Sequence, residues 1–325
     1  MFCKRPNGTV SIRHSNQSPW TIALAIALPA PHKTVDLELD DGAIIRLRQH
    51  GNPSGLRLAL SHGNGLAIDG YYPFWSLLRD RYELILFDFR NHGQNLTHNF
   101  EHHNWPRFVL DMEQIFAAIQ EHFGAKRTVG VFHSLSAVTA TMQSQRHGIR
   151  WDPLVLFDPP YYPPEHHRLN LLQFENEEGI AAGAAKRRAS YADPMELAAS
   201  FARRMTRWAP EAYELMARAT LRRDPITNQW LLACPREFEA HVFRSNRDTS
   251  TWTGLATMPV AVKLICGDPE VEDASPPARL GQAIAAESGV LYEAIPGTTH
   301  FLQIEKPREC IAAMESFLRA QGVIV

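Results

Sequence analysis

The chain is predicted to be an α/β protein, with a mostly parallel central sheet, helices on both faces and a helical segment inserted between two strands. Three observations predict it. Short, nearly continuous apolar runs recur along the chain, each closed by Gly, Pro, Asp, Arg, His or Ser, as strands buried on both faces do. Stretches with helical spacing separate several of these runs, so consecutive strands can lie parallel. Between about Pro159 and Trp252 the alternation stops, and Glu, Arg and Ala at helical spacing take over.

Taken in order, residues 1–34 read as an N-terminal arm. Its run Thr21–Ala30, TIALAIALPA, is too short to span a bilayer as a helix. The apolar part of a secretory signal is the other reading of this run, against which stand a long polar lead and Pro31 beside a doubtful cleavage site. The core occupies 35–159 and 253–325. It opens with VDLELDDGAIIRLRQHG, where apolar residues at every second position and the Asp41-Gly42 pair indicate a hairpin. The buried strands follow in LRLALSHG, YELILFDFR, RTVGVFHS, DPLVLFDPP, AVKLICGDPE and VLYEAIPGTTH. Helices are expected in WPRFVLDMEQIFAAIQEHFG, SPPARLGQAIAAES and KPRECIAAMESFLRAQG. Residues 160–252 form the helical insertion, in which no buried strand is expected.

At 325 residues and 45% hydrophobic content the chain can bury a core without help from metal or disulfide. Its formal net charge of -2 and the lack of basic runs exclude the electrostatic footprint of a nucleic-acid binder. Cys3, Cys234, Cys266 and Cys310 make no CxxC pair, which argues against structural zinc and a disulfide framework and points to a reducing, cytoplasmic setting. HNFEHHNW holds three histidines, but without a fixed ligand spacing to a distant acid or cysteine, so no metal is assigned. His166 and His167 read the same way.

In an open parallel sheet, ligands bind beyond the carboxyl ends of the strands. Five polar strand ends stand there: SHGNG (61–65), DFRNHG (88–93), FHSLS (132–136), GDPEVED (267–273) and PGTTH (296–300). Ser134 is the natural nucleophile among them. A sharp strand-to-helix turn exposes its hydroxyl and aims the following amides at developing charge, and an imidazole that titrates near neutrality, His300, can take its proton.

Together, in this order, these segments resemble the α/β-hydrolase superfamily over nearly everything from residue 35 onward. HGNG is similar to the family's oxyanion loop, DFRNHG to its DxRGHG turn, VGVFHSLSA to its nucleophile elbow and IPGTTHFLQIEKP to its histidine loop. The resemblance implies Ser134 as nucleophile, His300 as base, the amides of Asn64 and Leu135 as oxyanion hole, and no cofactor. It implies Glu270 as the acid, three residues after the glycine closing the next-to-last core strand. Asp268, Asp273 and Asp158 are the alternatives, Asp158 because some relatives place the acid at the preceding strand end. The family's elbow is GxSxG, whereas Phe132 and Ser136 occupy the two glycine places here. Asn64 also matches the asparagine with which haloalkane dehalogenases hold halide, but those enzymes and the epoxide hydrolases carry aspartate where this chain has Ser134.

The expected activity is hydrolysis of a carboxylic ester, lactone, thioester or lipid acyl ester of a largely apolar small molecule. Carbon–carbon bond hydrolysis by the same residues and a non-catalytic receptor or interaction role are the alternatives, the latter prompted by Phe132. Self-association into a homo-oligomer stays open. His62, His92 and His133 are read as structural, and Asp88 and Arg90 as ties between the sheet end and the elbow. Phe174, Phe201, Met205, Trp208, Trp230 and Trp252 are read as insertion core as readily as pocket wall.

Overall fold

The computed structural model describes residues 27–325. The apolar run beginning at Thr21 falls mostly outside them, and the signal reading with it. Among the described residues no helix is long and apolar enough to cross a membrane.

The predicted hairpin is β1 (Lys33–Glu38) and β2 (Ile44–Gly51), paired antiparallel in register Val35 to Leu47. Gly42 makes its turn at φ 83°, a conformation that costs other residues a steric penalty. β3 (Leu56–Ser61), β4 (Tyr82–Phe87), β5 (Thr128–His133) and β6 (Leu154–Phe157) follow, with the one-turn helix α1 (Tyr72–Trp75) between β3 and β4. The helices α2 (Trp105–His122) and α3 (Leu135–His147) flank β5 in sequence. α2 starts as its sequence dictates: the Asn104 side chain accepts from the Arg107 amide, and Pro106 sits in the first turn.

Between β6 and the next strand of the main sheet lie α4 (Asn170–Ala185), β7 (Ser190–Tyr191), α5 (Pro194–Arg204), α6 (Pro210–Ala219), β8 (Leu221–Arg223), β9 (Trp230–Leu232), α7 (Arg236–Ser245) and α8 (Ser250–Thr253). β7, β9 and β8 form a separate three-stranded antiparallel sheet. The insertion is thus not wholly helical, and each of its short strands is only partly buried. Strands of two or three residues are too short to impose a period on the sequence. The chain then returns through β10 (Val262–Cys266), α9 (Pro276–Ser288), β11 (Leu291–Ala294), α10 (Leu302–Glu305) and α11 (Pro307–Ala320).

The main sheet has eight strands in the order β1-β2-β4-β3-β5-β6-β10-β11, parallel except where β2 meets β1 and β4. Strand residues alternate between two cores. Leu58, Leu60, Leu84, Leu86, Val129 and Val131 face one, whereas Ala59, Ile85, Phe87 and Phe132 face the other. That division is the period of two written into the runs, and both faces are covered by helices. The strand order reverses at β3: β4 pairs on one side of it and β5 on the other. The crevice beyond their carboxyl ends is therefore where a ligand is expected, and it is where HGNG and FHSLS emerge.

Candidate active site

Ser134 joins β5 to α3 at φ 53° and ψ -113°, a backbone conformation unfavourable for a residue with a side chain. The turn is held from three sides. Its amide donates to the carbonyl of Phe157 at 3.0 Å, its carbonyl accepts from Val138 at 3.0 Å, and Ser136 Oγ bonds both the amide and the carbonyl of His133 at 2.9 Å. Strain that the surroundings over-determine in this way is typical of functional turns.

Phe132 does not loosen the elbow. Its ring is fully buried in the core on the α2 and α3 side, 5.2 Å from Trp151 and 6.2 Å from Phe87 between centroids. The space it needs comes from Gly130, two residues upstream on the same face, where a Cβ would stand 2.6 Å from the Phe132 ring. The glycine that the family pattern places at 132 is thus displaced to 130.

His300 Nε2 lies 3.1 Å from Ser134 Oγ, and His300 Nδ1 lies 2.6 Å from Asp158 Oδ2. With Nδ1–H donated to the carboxylate, Nε2 presents its lone pair to the hydroxyl. Asp158 stands just after β6 at φ 44°, fully buried, and also accepts from the Gly267 amide at 3.0 Å and the Ser275 hydroxyl at 3.2 Å. A buried carboxylate needs such donors, and here they fix its orientation.

The place expected for Glu270 is therefore taken by Asp158. Glu270 is exposed, and its backbone amide donates to Asp268 Oδ1. Asp268 accepts from the Gly297 amide at 2.7 Å as well, so it ties the loop after β10 to the loop that carries His300. Those two amides hold its carboxyl below the usual carboxylate range. Asp273 lies on the surface, where Arg207 Nη1 donates to both of its carboxylate oxygens at 2.7 Å. The physical reason is local: the Gly267 amide points at Asp158, and the loop then runs outward with Glu270 on its solvent side.

The remaining predicted residues gather beside the serine. Leu135 is the first residue of α3, so its amide is one of the helix's free N-terminal donors. Asn64 follows β3 and lines the same cavity as Ser134. Among the described residues neither amide meets a protein acceptor. The Asn64 side chain donates to the carbonyl of Glu239 on α7 at 2.9 Å, which anchors the loop to the insertion. Gly65 carries φ 71°, and a Cβ there would fall 2.5 Å from the Glu239 carboxyl.

Three histidines support this loop, each neutral in its burial. His62 donates from Nδ1 to the carbonyl of Gly63 at 2.8 Å and accepts from the Phe89 amide, and burial pulls it down to about 4. His92 donates to the carbonyl of Arg90 at 2.9 Å and accepts from the Gly65 amide. His133 donates from Nε2 to the carbonyl of His300 at 2.8 Å, so its Nδ1 must accept from the Tyr71 hydroxyl at 2.7 Å. Tyr71 in turn accepts from the Gly63 amide, linking the loop after β3 to the histidine loop. Sequence reasoning missed Tyr71; nothing in its local pattern marks it.

Arg90 and Asp88 lie outside the cavity. Arg90 bonds Asp111 on α2 and Asp41 in the hairpin turn, and Asp88 accepts from the Ile68 and Gln94 amides, so they brace the loop after β4 and not the elbow. His98 and His102 come near Asp41, but His102 already bonds that carboxylate at 2.8 Å, as Arg90 does.

A cavity of about 420 Å³ opens over Ser134 and His300. Phe201, Met205 and Trp208 of the insertion line it while also packing in its core; Trp230, Trp252 and Phe174 do not line it. Charged groups share the wall. Glu239 is buried against Arg187, and burial raises its carboxyl against the opposing pull of that guanidinium. Glu177 is buried, with Oε1 accepting from Gln173 and Asn246 at 2.6 Å, and burial pushes it up to about 8. Arg204, on the last turn of α5, is exposed at the same cavity.

The arrangement can move a proton from a hydroxyl to an imidazole backed by a buried carboxylate, beside two free backbone donors. Comparison with known proteins agrees on its framework. A family model described as alpha/beta hydrolase family matches residues 58–313. No curated protein matches the chain by sequence. Among solved structures, E-2-(acetamidomethylene)succinate hydrolase superposes with a TM-score of 0.70 at 16% identity, covering 88% of this chain and 100% of the other. An alpha/beta hydrolase from Novosphingobium aromaticivorans DSM 12444 gives 0.69 at 17% identity, covering 90% and 99%. The thioesterase domain from the curacin biosynthetic pathway gives 0.67 at 15% identity, covering 88% and 99%. With the family model spanning most of its length and that fold under its strand-end loops, the chain belongs to the alpha/beta hydrolase family.

Proposed function

We propose that the protein is a serine hydrolase that cleaves a carboxylic ester, or a lactone or thioester, of a largely apolar acyl compound through an acyl-enzyme. The observation that carries this is the single imidazole bridging Ser134 at 3.1 Å and the buried Asp158 at 2.6 Å. Ser134 Oγ attacks the carbonyl carbon as its proton passes to His300 Nε2, and Asp158 stabilises the imidazolium. The oxyanion is held by the amides of Asn64 and Leu135, each worth about 3 kcal/mol of transition-state stabilisation. Collapse expels the leaving group, which takes the proton from His300. Water then attacks the acyl carbon, His300 takes its proton, and Ser134 leaves with that proton restored.

The insertion acts as a cap, whose apolar wall suits an acyl chain. Nitrophenyl esters of rising chain length provide the test. Hydrolysis by the native protein that disappears in Ser134→Ala supports the reading. Inactivity toward every ester overturns it and favours the carbon–carbon alternative.

A further inference from the structure

We propose that the cavity takes an acyl compound bearing a second, negatively charged group, a carboxylate, which Arg204 reads. This rests on the acyl-transfer reading above. The wall near the serine is mainly apolar, built from Leu66, Ile180, Phe201, Met205 and Trp208. Two guanidinium groups interrupt it, those of Arg187 and Arg204. The first is already neutralised by Glu239. The second bonds only the carbonyl of Ser200, on its own helix at 3.4 Å, and forms no ion pair among the described residues, although its charge also acts on Glu239.

The other acid in the wall does not serve it either. One oxygen of Glu177 is held by Gln173 and Asn246, and the other makes no hydrogen bond but lies 3.9 Å from Arg247 Nη1. Both acids of the wall thus have a nearer cation, Arg187 for Glu239 and Arg247 for Glu177, which leaves Arg204 as the guanidinium of the wall without an ion pair among the described residues. A guanidinium beside an apolar cavity binds carboxylate with charge-assisted hydrogen bonds, which solvent at the exposed Arg204 weakens without abolishing. Arg204 therefore fits a dicarboxylic half-ester better than a neutral ester of equal length. As a cation on the last turn of α5 it also suits the helix dipole, but that role stabilises the helix without choosing among substrates.

The experiment has two arms. In the first, kcat/KM is measured for nitrophenyl half-esters of linear dicarboxylic acids and for their methyl-capped neutral counterparts, with native protein and Arg204→Gln. The native protein should prefer the free acid, and the variant should lose about 10- to 100-fold of that preference, the effect of one hydrogen bond to a charged group. A ratio unchanged by the substitution overturns the proposal. In the second arm, calorimetry compares binding of the monomethyl ester of adipic acid to Ser134→Ala and to Ser134→Ala with Arg204→Gln. Binding that depends on Arg204 while no ester is cleaved retains the anion subsite and removes the acyl-transfer reading. Cleavage without preference for the acid does the reverse.

Discussion

Replacing Asp158 by asparagine isolates the part of the site where sequence and structure disagree most. Asparagine matches the carboxylate in shape, and its Oδ1 can keep the 3.0 Å bond from the Gly267 amide. Its Nδ2 then occupies the place of Oδ2, 2.6 Å from His300 Nδ1. An amide N–H there can meet only a lone pair, so the imidazole must carry its proton on Nε2. That hydrogen faces Ser134 Oγ at 3.1 Å, and the ring can no longer accept the serine's proton. Inverting the tautomer of a serine–histidine–aspartate site while keeping its geometry lowers kcat by about 10⁴, or roughly 5 kcal/mol. The assay is kcat/KM on a nitrophenyl ester, with Glu270→Gln alongside and thermal melting to verify folding. The exposed Glu270 should cost less than about twofold, as surface changes usually do. Activity of Asp158→Asn within tenfold of native, or a thousandfold loss in Glu270→Gln, would refute the assignment.

Other consequences follow from packing and titration. Gly130→Ala forces a Cβ to 2.6 Å from the Phe132 ring and 2.8 Å from Leu154, and should lower stability by about 1–3 kcal/mol in denaturant unfolding; adding Phe132→Leu should recover part of it. Glu177 has its pKa raised from 4.5 to about 8, so between these values the folded state holds a proton the unfolded state has lost. That contribution is present below pH 4.5 and fades as pH rises toward 8, by up to about 1.4 kcal/mol per pH unit. The melting temperature of Glu177→Gln should accordingly gain on the native protein from pH 5 to pH 8, and a constant difference would contradict the burial of an ionisable group there.

How much was legible in the sequence follows from which contacts are local. β3, β4, β5, β6 and β10 announce themselves because burial on both faces requires unbroken apolar runs, and Ser134, Asn64, Leu135 and His300 are legible because each closes or follows such a run. The acid was not. Whether Asp158 or Glu270 meets His300 depends on which loop turns inward, and that is decided by the Gly267 amide and the Ser275 hydroxyl, more than a hundred positions from Asp158. Phe132 looked discordant because the space for its ring comes from Gly130 and the neighbouring strand, not from its own motif. The small sheet of β7, β8 and β9 left no periodic trace. Arg204 is one arginine among many in the sequence, and only folding sets it at the cavity without an ion pair among the described residues.

Chemical trapping of the nucleophile tests the central claim most directly. After reaction with a fluorophosphonate, intact mass and peptide mapping should find one adduct per chain, on the peptide carrying Ser134, and none in Ser134→Ala. Labelling that persists in that variant, or a native protein whose Ser134 stays unmodified while it hydrolyses ester, would contradict the account.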